Sequence, residues 1–386
     1  MTSIAKRCKA DGSPVKAIGM ISGGLDSTLA ARLIRDQGIE VLGVNFSTGF
    51  CRSDHHRAMG AFGADRDPRR LRNEALRAGS DLAIPVRIVD ISQNYLHVIL
   101  HPAHGYGANM NPCVDCRAFM LRAARAIMDE EGADFVFTGE VLGQRPMSQH
   151  LRAMKVIEKE SGLAGRLLRP LSARLLEPTE VERLGWVDRE ALLRIQGRTR
   201  REQMRLAHAS RIDDFPDPAG GCCFLTDKIY ASRFHDVVMH LPPGTDPRPQ
   251  DVLLLKVGRH FRLSPGLKLV VGRLEAENNF LEHFFPEAPK LEARDLLGPL
   301  GIIYADGGRP LTREEIPTPL VLRMAAIVAR YGKAREEASV AMTLRIRGEE
   351  ETLTVAPLLD DDELLPYRIP EKYDARERPE GRLPAR

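Results

Sequence analysis

The stretch VKAIGMISGGLDS, residues 15–27, decides the fold of this chain. Its first part, residues 15–21, is a short apolar run that predicts a strand buried on both faces. A helix is predicted next, over residues 27–37, because apolar residues recur there at helical spacing and Gly38 follows at a C-cap position. The sequence therefore predicts a glycine-rich loop between a strand and a helix N-terminus.

The composition of this loop suits a phosphate group. Gly23 and Gly24 permit a tight turn with exposed backbone amides, and the helix N-terminus adds partial positive charge. Ser22 and Ser27 can donate hydrogen bonds to phosphate oxygens, whereas the Asp26 carboxylate is expected to hold Mg²⁺ beside the phosphate. The alternative is a capped turn without a ligand. A Walker loop is excluded, because the G-x-x-x-x-G-K-[ST] pattern is absent.

Further strands are predicted at residues 41–46, 84–91 and 135–138, with helical patterns between them. This alternation indicates an α/β fold with a doubly wound parallel sheet, whose ligand site lies at the carboxyl ends of the strands. Shorter β-type runs are predicted later in the chain, at residues 252–257, 259–263 and 267–272. We expect four parts in the chain. They are an α/β domain over 1–175, a helical Arg-rich extension over 176–245, a small C-terminal α+β domain over 246–358 and an irregular tail over 359–386.

The composition excludes several classes of protein. The chain has 386 residues, of which 43% are hydrophobic and 28% charged, as in an ordinary soluble globular protein. No run of about 18 apolar residues would span a membrane, and the N-terminus lacks the apolar core of a signal peptide. We therefore expect a cytoplasmic protein. Six cysteines are too few for a disulfide scaffold, so chemistry is the more natural role for them.

Four of the cysteines lie in two short segments. Cys113 and Cys116 form a C-x-x-C within NPCVDC, and Cys222 and Cys223 follow the run PAGG. A four-cysteine zinc site is less favoured, because adjacent cysteines point in different directions. Three cysteines could instead hold a 4Fe-4S cluster with one open iron. A redox pair or simple buried thiols remain alternatives.

Basic residues crowd the helical segment after residue 194, among them Arg198, Arg200 and Arg201. Such a cluster suits a phosphate backbone, although a solvated helix face has a similar composition. Aromatic residues make up only 5% of the chain, so phosphate and shape contacts are favoured over base stacking.

The loop SGGLDS resembles the PP-loop signature of the adenine-nucleotide alpha-hydrolase-like ATP pyrophosphatases. This resemblance implies cleavage of ATP between its α and β phosphates, with adenylation of a substrate oxygen. The N-P-x-x-x-C pattern resembles tRNA 2-thiouridylases, which implies catalytic roles for Cys116 and Cys223. In cluster-dependent thiolases a C-x-x-C and one later cysteine are the ligands, which implies Cys113, Cys116 and Cys222. We favour Cys222 and leave Cys223 as its substitute.

Two further segments carry resemblances. TGEVLGQ, residues 138–144, is similar to a segment of 4-thiouridine synthases, which implies that Gly139 and Gln144 approach the nucleotide. Phe46, at the end of the second predicted strand, is a further candidate there. Residues 251–273 resemble the RNA-binding NFACT-R type domain. That resemblance implies RNA contacts from the following basic residues: Lys256, Arg259, His260, Arg262, Lys268 and Arg273.

Together these features predict an ATP-dependent, AMP- and pyrophosphate-forming tRNA sulfurtransferase. It would use ATP, Mg²⁺ and a cluster, with Asp26, Cys116 and Cys222 as catalytic residues. No cysteine follows Cys223, so the sulfur donor is expected to be external, either sulfide or a cysteine desulfurase. One alternative is a PP-loop amide ligase, which would not need the cysteines. The other is a non-catalytic RNA-binding protein, which would not need an intact phosphate loop.

Overall fold

The computed structural model describes residues 5–62, 71–216, 222–242 and 244–370. The chain forms two compact units. Among the described residues, the first unit comprises those up to Thr48 and those from Arg72 to Cys222, and the second comprises those from Gly49 to Leu71 and those after Cys222. This division differs from the expected boundaries at residues 175 and 245. The Arg-rich extension is part of the first unit as far as Cys222, and a segment after the second strand belongs to the second unit.

The strands are β1 (Lys16–Met20), β2 (Glu40–Ser47), β3 (Val86–Asp90), β4 (Phe135–Thr138), β5 (Leu167–Leu168), β6 (Arg259–Ser264), β7 (Leu267–Val271), β8 (Lys290–Ala293), β9 (Gly301–Ala305), β10 (Val340–Ile346) and β11 (Glu349–Val355). The α-helices of the described residues are α1 (Leu25–Arg35), α2 (Arg52–Phe62), α3 (Glu74–Asp81), α4 (Ser92–Leu100), α5 (Cys113–Glu130), α6 (Leu151–Ser161), α7 (Glu180–Arg183), α8 (Arg201–Ala209), α9 (Lys228–His240), α10 (Pro249–Leu254), α11 (Glu275–Phe284), α12 (Thr318–Ala329) and α13 (Asp361–Leu364).

The first unit contains a five-stranded sheet in the order β3-β2-β1-β4-β5, and each of its strand pairings is parallel. Side chains alternate between two apolar clusters along β1 and β4. Ala17 and Phe137 join the cluster that includes Leu29 of α1, whereas Ile18 and Val136 join the cluster that includes residues of α5 and α6. Helices therefore cover both faces, which confirms the predicted doubly wound α/β fold. Strand order reverses at β1 and β4, and ligands of such sheets bind beyond the carboxyl ends at that point.

The second unit contains a six-stranded antiparallel sheet in the order β11-β10-β8-β9-β7-β6. Its two faces are apolar. Leu269 packs in a cluster that includes Met324 of α12, and Val270 packs in a cluster that includes Phe280 of α11 and Phe62 of α2. This confirms a separate C-terminal α+β domain.

Some predicted elements are wrong. Residues 252–257 were expected to form a strand, but α10 covers the start of this run because Pro249 occupies the first helical turn and Asp251 accepts a hydrogen bond from the Arg248 amide. Gly258, at φ +73°, then turns the chain into β6. The tail is ordered as far as residue 370 and includes α13, where Leu364 is buried. Residues 371–386 of that tail, and the PAGG run before Cys222, lie outside the described residues. Among the described residues, no helix is long and apolar enough to cross a membrane.

Candidate active site

The predicted phosphate loop lies at the carboxyl end of β1, where α1 begins. Gly23 has φ +76°, and a Cβ atom there would come within 2.2 Å of the Glu74 backbone. The hydroxyl oxygens of Ser22 and Ser27 are 3.1 Å apart, and the Ser27 hydroxyl also donates to the Gly24 carbonyl at 2.9 Å. Within the described part of the chain, no side chain caps the first turn of α1. The loop therefore leaves a helix N-terminus without a side-chain cap, as a phosphate-binding loop requires.

Asp26 points toward the segment that follows β4. Its Oδ2 atom accepts a hydrogen bond from Gln144 Nε2 at 2.9 Å and lies 3.7 Å from an Arg200 guanidinium nitrogen. The other carboxylate oxygen, Oδ1, is buried and has no hydrogen-bond partner among the residues that the structure describes. A buried carboxylate oxygen in this state suits a cation such as Mg²⁺. Arg200, predicted to contact RNA, instead lies beside the nucleotide loop.

Gly139 brings the same segment against the loop. A Cβ atom at this position would lie 2.5 Å from the Ser27 backbone nitrogen and 2.6 Å from the Asp26 carbonyl carbon. Only glycine permits this approach without a backbone shift. The structure thus brings together Ser22, Gly23, Gly24, Asp26, Ser27, Gly139 and Gln144. Phe46 is 7% exposed and packs in the apolar cluster with Ile18 and Val44.

Glu140 connects this segment to the cysteines. Its carboxylate is 2% exposed and accepts a hydrogen bond from Arg169 at 3.1 Å. The other oxygen lies 3.6 Å from Nε of Arg117, the residue that follows Cys116 on α5. Arg169 also pairs with Glu158 at 3.0 Å. A buried network of charges therefore joins the end of β4 to the start of α5.

Three cysteines come together in the first unit. Cys113 and Cys116 lie on the first turn of α5, and both interact electrostatically with Cys222. The Cys113 thiol donates to Asn111 Oδ1 at 3.0 Å. Cys223 is assigned to the second unit, where it faces Cys51 across an isolated antiparallel bridge. These contacts favour Cys222 over Cys223 as the third member of the set.

The thiols on α5 are held in the protonated form. Burial raises the pKa of the Cys116 thiol to about 12, with a further contribution from the Cys222 charge. Burial and Cys222 also raise the pKa of Cys113. Burial acts to lower the pKa of Arg117, but the charges of Glu140 and the three cysteines raise it on balance. Cys116 is therefore a poor nucleophile as it stands, since the thiolate is the reactive form.

Three cysteine thiols are the ligands that a 4Fe-4S cluster could use. In the structure, however, their side chains do not converge on one point. Across residues 5–62, 71–216, 222–242 and 244–370, no three His, Cys, Asp or Glu side chains converge as metal ligands. To hold a cluster, the side chains of Cys113, Cys116 and Cys222 would have to turn toward one another, and we derive no reaction step through such a group.

Several predicted RNA contacts are engaged inside the second unit. Arg262 binds Asp236 at 2.6 Å and Asp306 at 2.5 Å, and Lys268, 1% exposed, binds Asp236 at 3.1 Å. Burial opposes ionisation of Asp236, but Lys268 and Arg262 lower its pKa to about 2. These cations therefore stabilise the fold.

The remaining basic candidates differ in exposure. Lys256 and His260 are buried, Arg273 pairs with Glu277, and Arg259 stacks on the Tyr331 ring at 4.4 Å. Arg198 and Arg201 of the first unit are exposed. Exposed cations are the ones able to reach a phosphate backbone.

Sequence reasoning missed Arg117, Glu140 and Arg169. Glu140 lies inside the quoted TGEVLGQ segment, and Arg117 directly follows the C-x-x-C, so both were adjacent to recognised signals. Arg169 stands among other basic residues between Arg145 and Arg174, and the sequence does not distinguish its buried position from that of its exposed neighbours.

Two family models match the chain. Residues 12–175 match the family described as thiamine biosynthesis protein (ThiI), and residues 258–368 match the NFACT protein RNA binding domain. The first match covers the phosphate loop, the C-x-x-C and the charge network. The second covers the sheet of the second unit.

Individual proteins are similar over parts of the chain. The tRNA-specific 2-thiouridylase of Methylobacterium nodulans is 27% identical over 284 residues, which are 68% of this chain and 68% of that protein. The enzyme of the same name from Syntrophotalea carbinolica is 33% identical over 123 residues, 31% of this chain and 32% of its own length. A solved 4-thiouridine synthetase–RNA complex with bound ATP is 27% identical, covers 46% of this chain and 43% of its own, and has a TM-score of 0.29.

The matches and the geometry point in the same direction. Residues 12–175 are similar to the ThiI family, and residues 258–368 are similar to the NFACT RNA-binding domain.

Proposed function

We propose that this protein is an ATP-dependent tRNA sulfurtransferase that forms AMP and pyrophosphate. The observation that carries the proposal is the position of residues 139–144, which follow β4. This segment contacts the phosphate loop through one residue and the start of α5, beside the cysteines, through another. Gln144 binds Asp26 of the phosphate loop at 2.9 Å, and Glu140 lies 3.6 Å from Arg117 beside the cysteines. A nucleotide-binding loop and a cysteine set on one sheet edge support a reaction that activates an oxygen and replaces it by sulfur. The tRNA thiolation enzymes among the relatives support the same substrate class.

The proposed reaction has two steps. A uridine carbonyl oxygen attacks the α phosphorus of ATP, a bond to pyrophosphate breaks, and the uridine becomes adenylated. A sulfur nucleophile then attacks the activated carbon, and AMP leaves with the former carbonyl oxygen. The amides and hydroxyls of Ser22–Ser27 would bind the phosphates, and Asp26 would hold Mg²⁺, which neutralises the charge that develops on pyrophosphate.

The cysteines supply the sulfur half of the site. We propose that Cys113, Cys116 and Cys222 act together, either as ligands of a 4Fe-4S cluster or as carriers of sulfane sulfur that is transferred from the persulfide of an external cysteine desulfurase. Cys222 is exposed, whereas burial keeps Cys116 protonated, so Cys222 is the residue placed to accept sulfur from outside. A coordinated thiol is deprotonated by its metal, and the supply of sulfur at an open iron is the chemistry that a cluster would add.

The RNA surface is proposed on the exposed arginines of the first unit. Arg198 and Arg201 are exposed, while Arg262 is neutralised by Asp236 and Asp306. Replacing both exposed arginines by glutamate should weaken tRNA binding and flatten its salt dependence, because phosphate contacts release counterions. Lys6→Glu, a charge reversal at a side chain that is 71% exposed, serves as the control, and each arginine is also reversed singly so that the change in net charge is the same. Equal losses in both proteins would contradict this surface.

The test of the activity uses Asp26→Asn and Asp36→Asn. Asp26→Asn keeps the shape of the loop but removes the charge, and we expect AMP formation and tRNA thiolation to fall together by at least 100-fold. Asp36 lies at the end of the same helix, 39% exposed, and its variant should retain both activities. Formation of ADP instead of AMP by the unaltered protein would contradict the proposal.

A further inference from the structure

Cys51 and Cys223 form a second pair of cysteines, which the proposed thiolation chemistry does not use. Both belong to the second unit, and they face each other across an isolated antiparallel bridge. The Phe224 amide donates to the Phe50 carbonyl at 3.0 Å, one residue beyond the pair on one side. This bond makes Cys51 and Cys223 a non-hydrogen-bonded pair of the ladder, the kind that brings side chains closest.

The backbone geometry of such a pair suits a disulfide. Cα atoms in non-hydrogen-bonded antiparallel pairs are about 4.5 Å apart. Disulfide-linked cysteines have Cα separations of roughly 4.4–6.8 Å, so the bond would form without a large backbone movement. The pair is therefore preorganised for a bond between its sulfur atoms.

Aromatic packing holds both strands of this bridge. Phe50 is 1% exposed, and its ring lies edge-on to Tyr230 at 6.1 Å and to Phe234 at 5.8 Å. Phe224, next to Cys223, packs on the same Tyr230 ring at 5.2 Å. Phe50 is next to Cys51 and Phe224 is next to Cys223, and both rings contact Tyr230. The two segments of the bridge therefore cannot move apart without exposing these rings.

The two thiols differ in access. Cys51 is partly exposed, whereas Cys223 is buried. Lys256 interacts electrostatically with Cys51, and its ammonium lies 5.7 Å from the Phe224 ring centre. Access decides the order of reaction, so Cys51 is the residue placed to react first with a small-molecule disulfide.

We propose that Cys51 and Cys223 are a redox dithiol, which a small-molecule disulfide of the glutathione class oxidises to an intramolecular disulfide. The Cys51 thiolate attacks one sulfur of oxidised glutathione, forms a mixed disulfide and expels one glutathione thiolate. The Cys223 thiolate then attacks the Cys51 sulfur and expels the second glutathione. Two protein thiols are oxidised, one glutathione disulfide is reduced to two thiols, and the two thiol protons leave with them.

The bond would have a consequence for the adjacent residue. Cys222 is joined to Cys223 by a peptide bond, and the disulfide would fix the backbone at Cys223. We therefore expect the redox state of this pair to set the freedom of Cys222, the exposed cysteine of the proposed sulfur site.

The test is peptide mapping of the full-length protein after exposure to oxidised glutathione, without reduction. The expected product is a crosslink between the tryptic peptides that contain Cys51 and Cys223. Because Cys222 lies on the same peptide as Cys223, the mapping is repeated on Cys222→Ser and Cys223→Ser. The crosslink should persist in Cys222→Ser and be lost in Cys223→Ser, which should instead carry glutathione on Cys51.

A crosslink that survives in Cys223→Ser but disappears in Cys222→Ser would overturn the proposal. So would unaltered protein in which Cys51 is glutathionylated while Cys223 stays reduced. Cys8, exposed in the first unit, is the internal control and should form only the mixed disulfide. In the unaltered protein, fragmentation of the crosslinked peptide between Cys222 and Cys223 also locates the linked sulfur, so the test does not depend on the folding of a variant.

Discussion

Replacing Glu140 by glutamine would remove one charge from the network that joins the phosphate loop to the cysteines. Glu140 is 2% exposed and Arg169 is 4% exposed, with 3.1 Å between the paired atoms. Breaking a buried ion pair by removing one partner typically costs 3–5 kcal/mol, as an order of magnitude. Arg169 keeps its second partner, Glu158, so we expect the lower end, about 3 kcal/mol of unfolding free energy.

Glu158→Gln is the matched control, since it removes a charge from the same arginine. Its side chain is 25% exposed, and the pair distance is 3.0 Å. Solvent screening reduces the value of such a pair, so we expect about 1 kcal/mol. The two variants thus share the substitution and the partner and differ in burial.

The assay is urea unfolding followed by tryptophan fluorescence. The chain has one tryptophan, Trp186, which packs against the core of the first unit, so the signal reports that unit alone. Equal destabilisation by Glu140→Gln and Glu158→Gln would refute the reasoning. Glu140→Gln should also reduce AMP-coupled thiolation, because Arg117 loses the carboxylate that positions it.

Three other predictions concern the glycine contact, the second unit and the metal. Gly139→Ala should lower AMP formation by about 100-fold, because its Cβ would displace the Ser27 backbone. Gly266→Ala is the control and should have no effect, since a Cβ atom at Gly266 would meet no described atom within 4 Å. Equal activities of the two variants would contradict the close approach at Gly139. Arg262→Ala should destabilise the second unit by about 3 kcal/mol, measured by amide hydrogen exchange of β6 and β7. Arg309→Ala, at a side chain that is 57% exposed, should leave the exchange of both strands unchanged. A larger effect of Arg309→Ala than of Arg262→Ala would argue against an internal role for Arg262. Protein purified without oxygen should contain about four irons and four sulfides per chain and lose both in Cys113→Ala; zinc in their place would refute the proposed cluster.

The sequence was sufficient to predict the first sheet because its signals are local. A glycine-rich loop directly between an apolar strand and an amphipathic helix leaves few alternatives, and β1, the loop and α1 appear where that pattern predicts them. Alternation of strands and helices then predicts the parallel sheet. The second sheet was harder to predict from the sequence, because β8 is only four residues long and has a single buried residue.

The charged residues show where sequence reasoning ends. A basic run in a sequence is equally consistent with an exposed RNA surface and with buried ion pairs, because the partners come from distant parts of the chain. Arg262 meets Asp236 and Asp306, and Arg200 meets Asp26; none of these pairs could be inferred from spacing. The Cys222–Cys223 ambiguity has the same origin, since the side-chain directions depend on the tertiary fold.

The central claim is that the phosphate loop and the cysteine set perform one coupled reaction on tRNA. The most direct measurement incubates the protein with tRNA, ATP, Mg²⁺ and sulfide, and counts AMP and thiouridine in the same sample by mass spectrometry. The account predicts one AMP for each thiouridine, with both lost in Asp26→Asn. Thiouridine formed without AMP, or AMP formed while the tRNA stays unmodified, would contradict it.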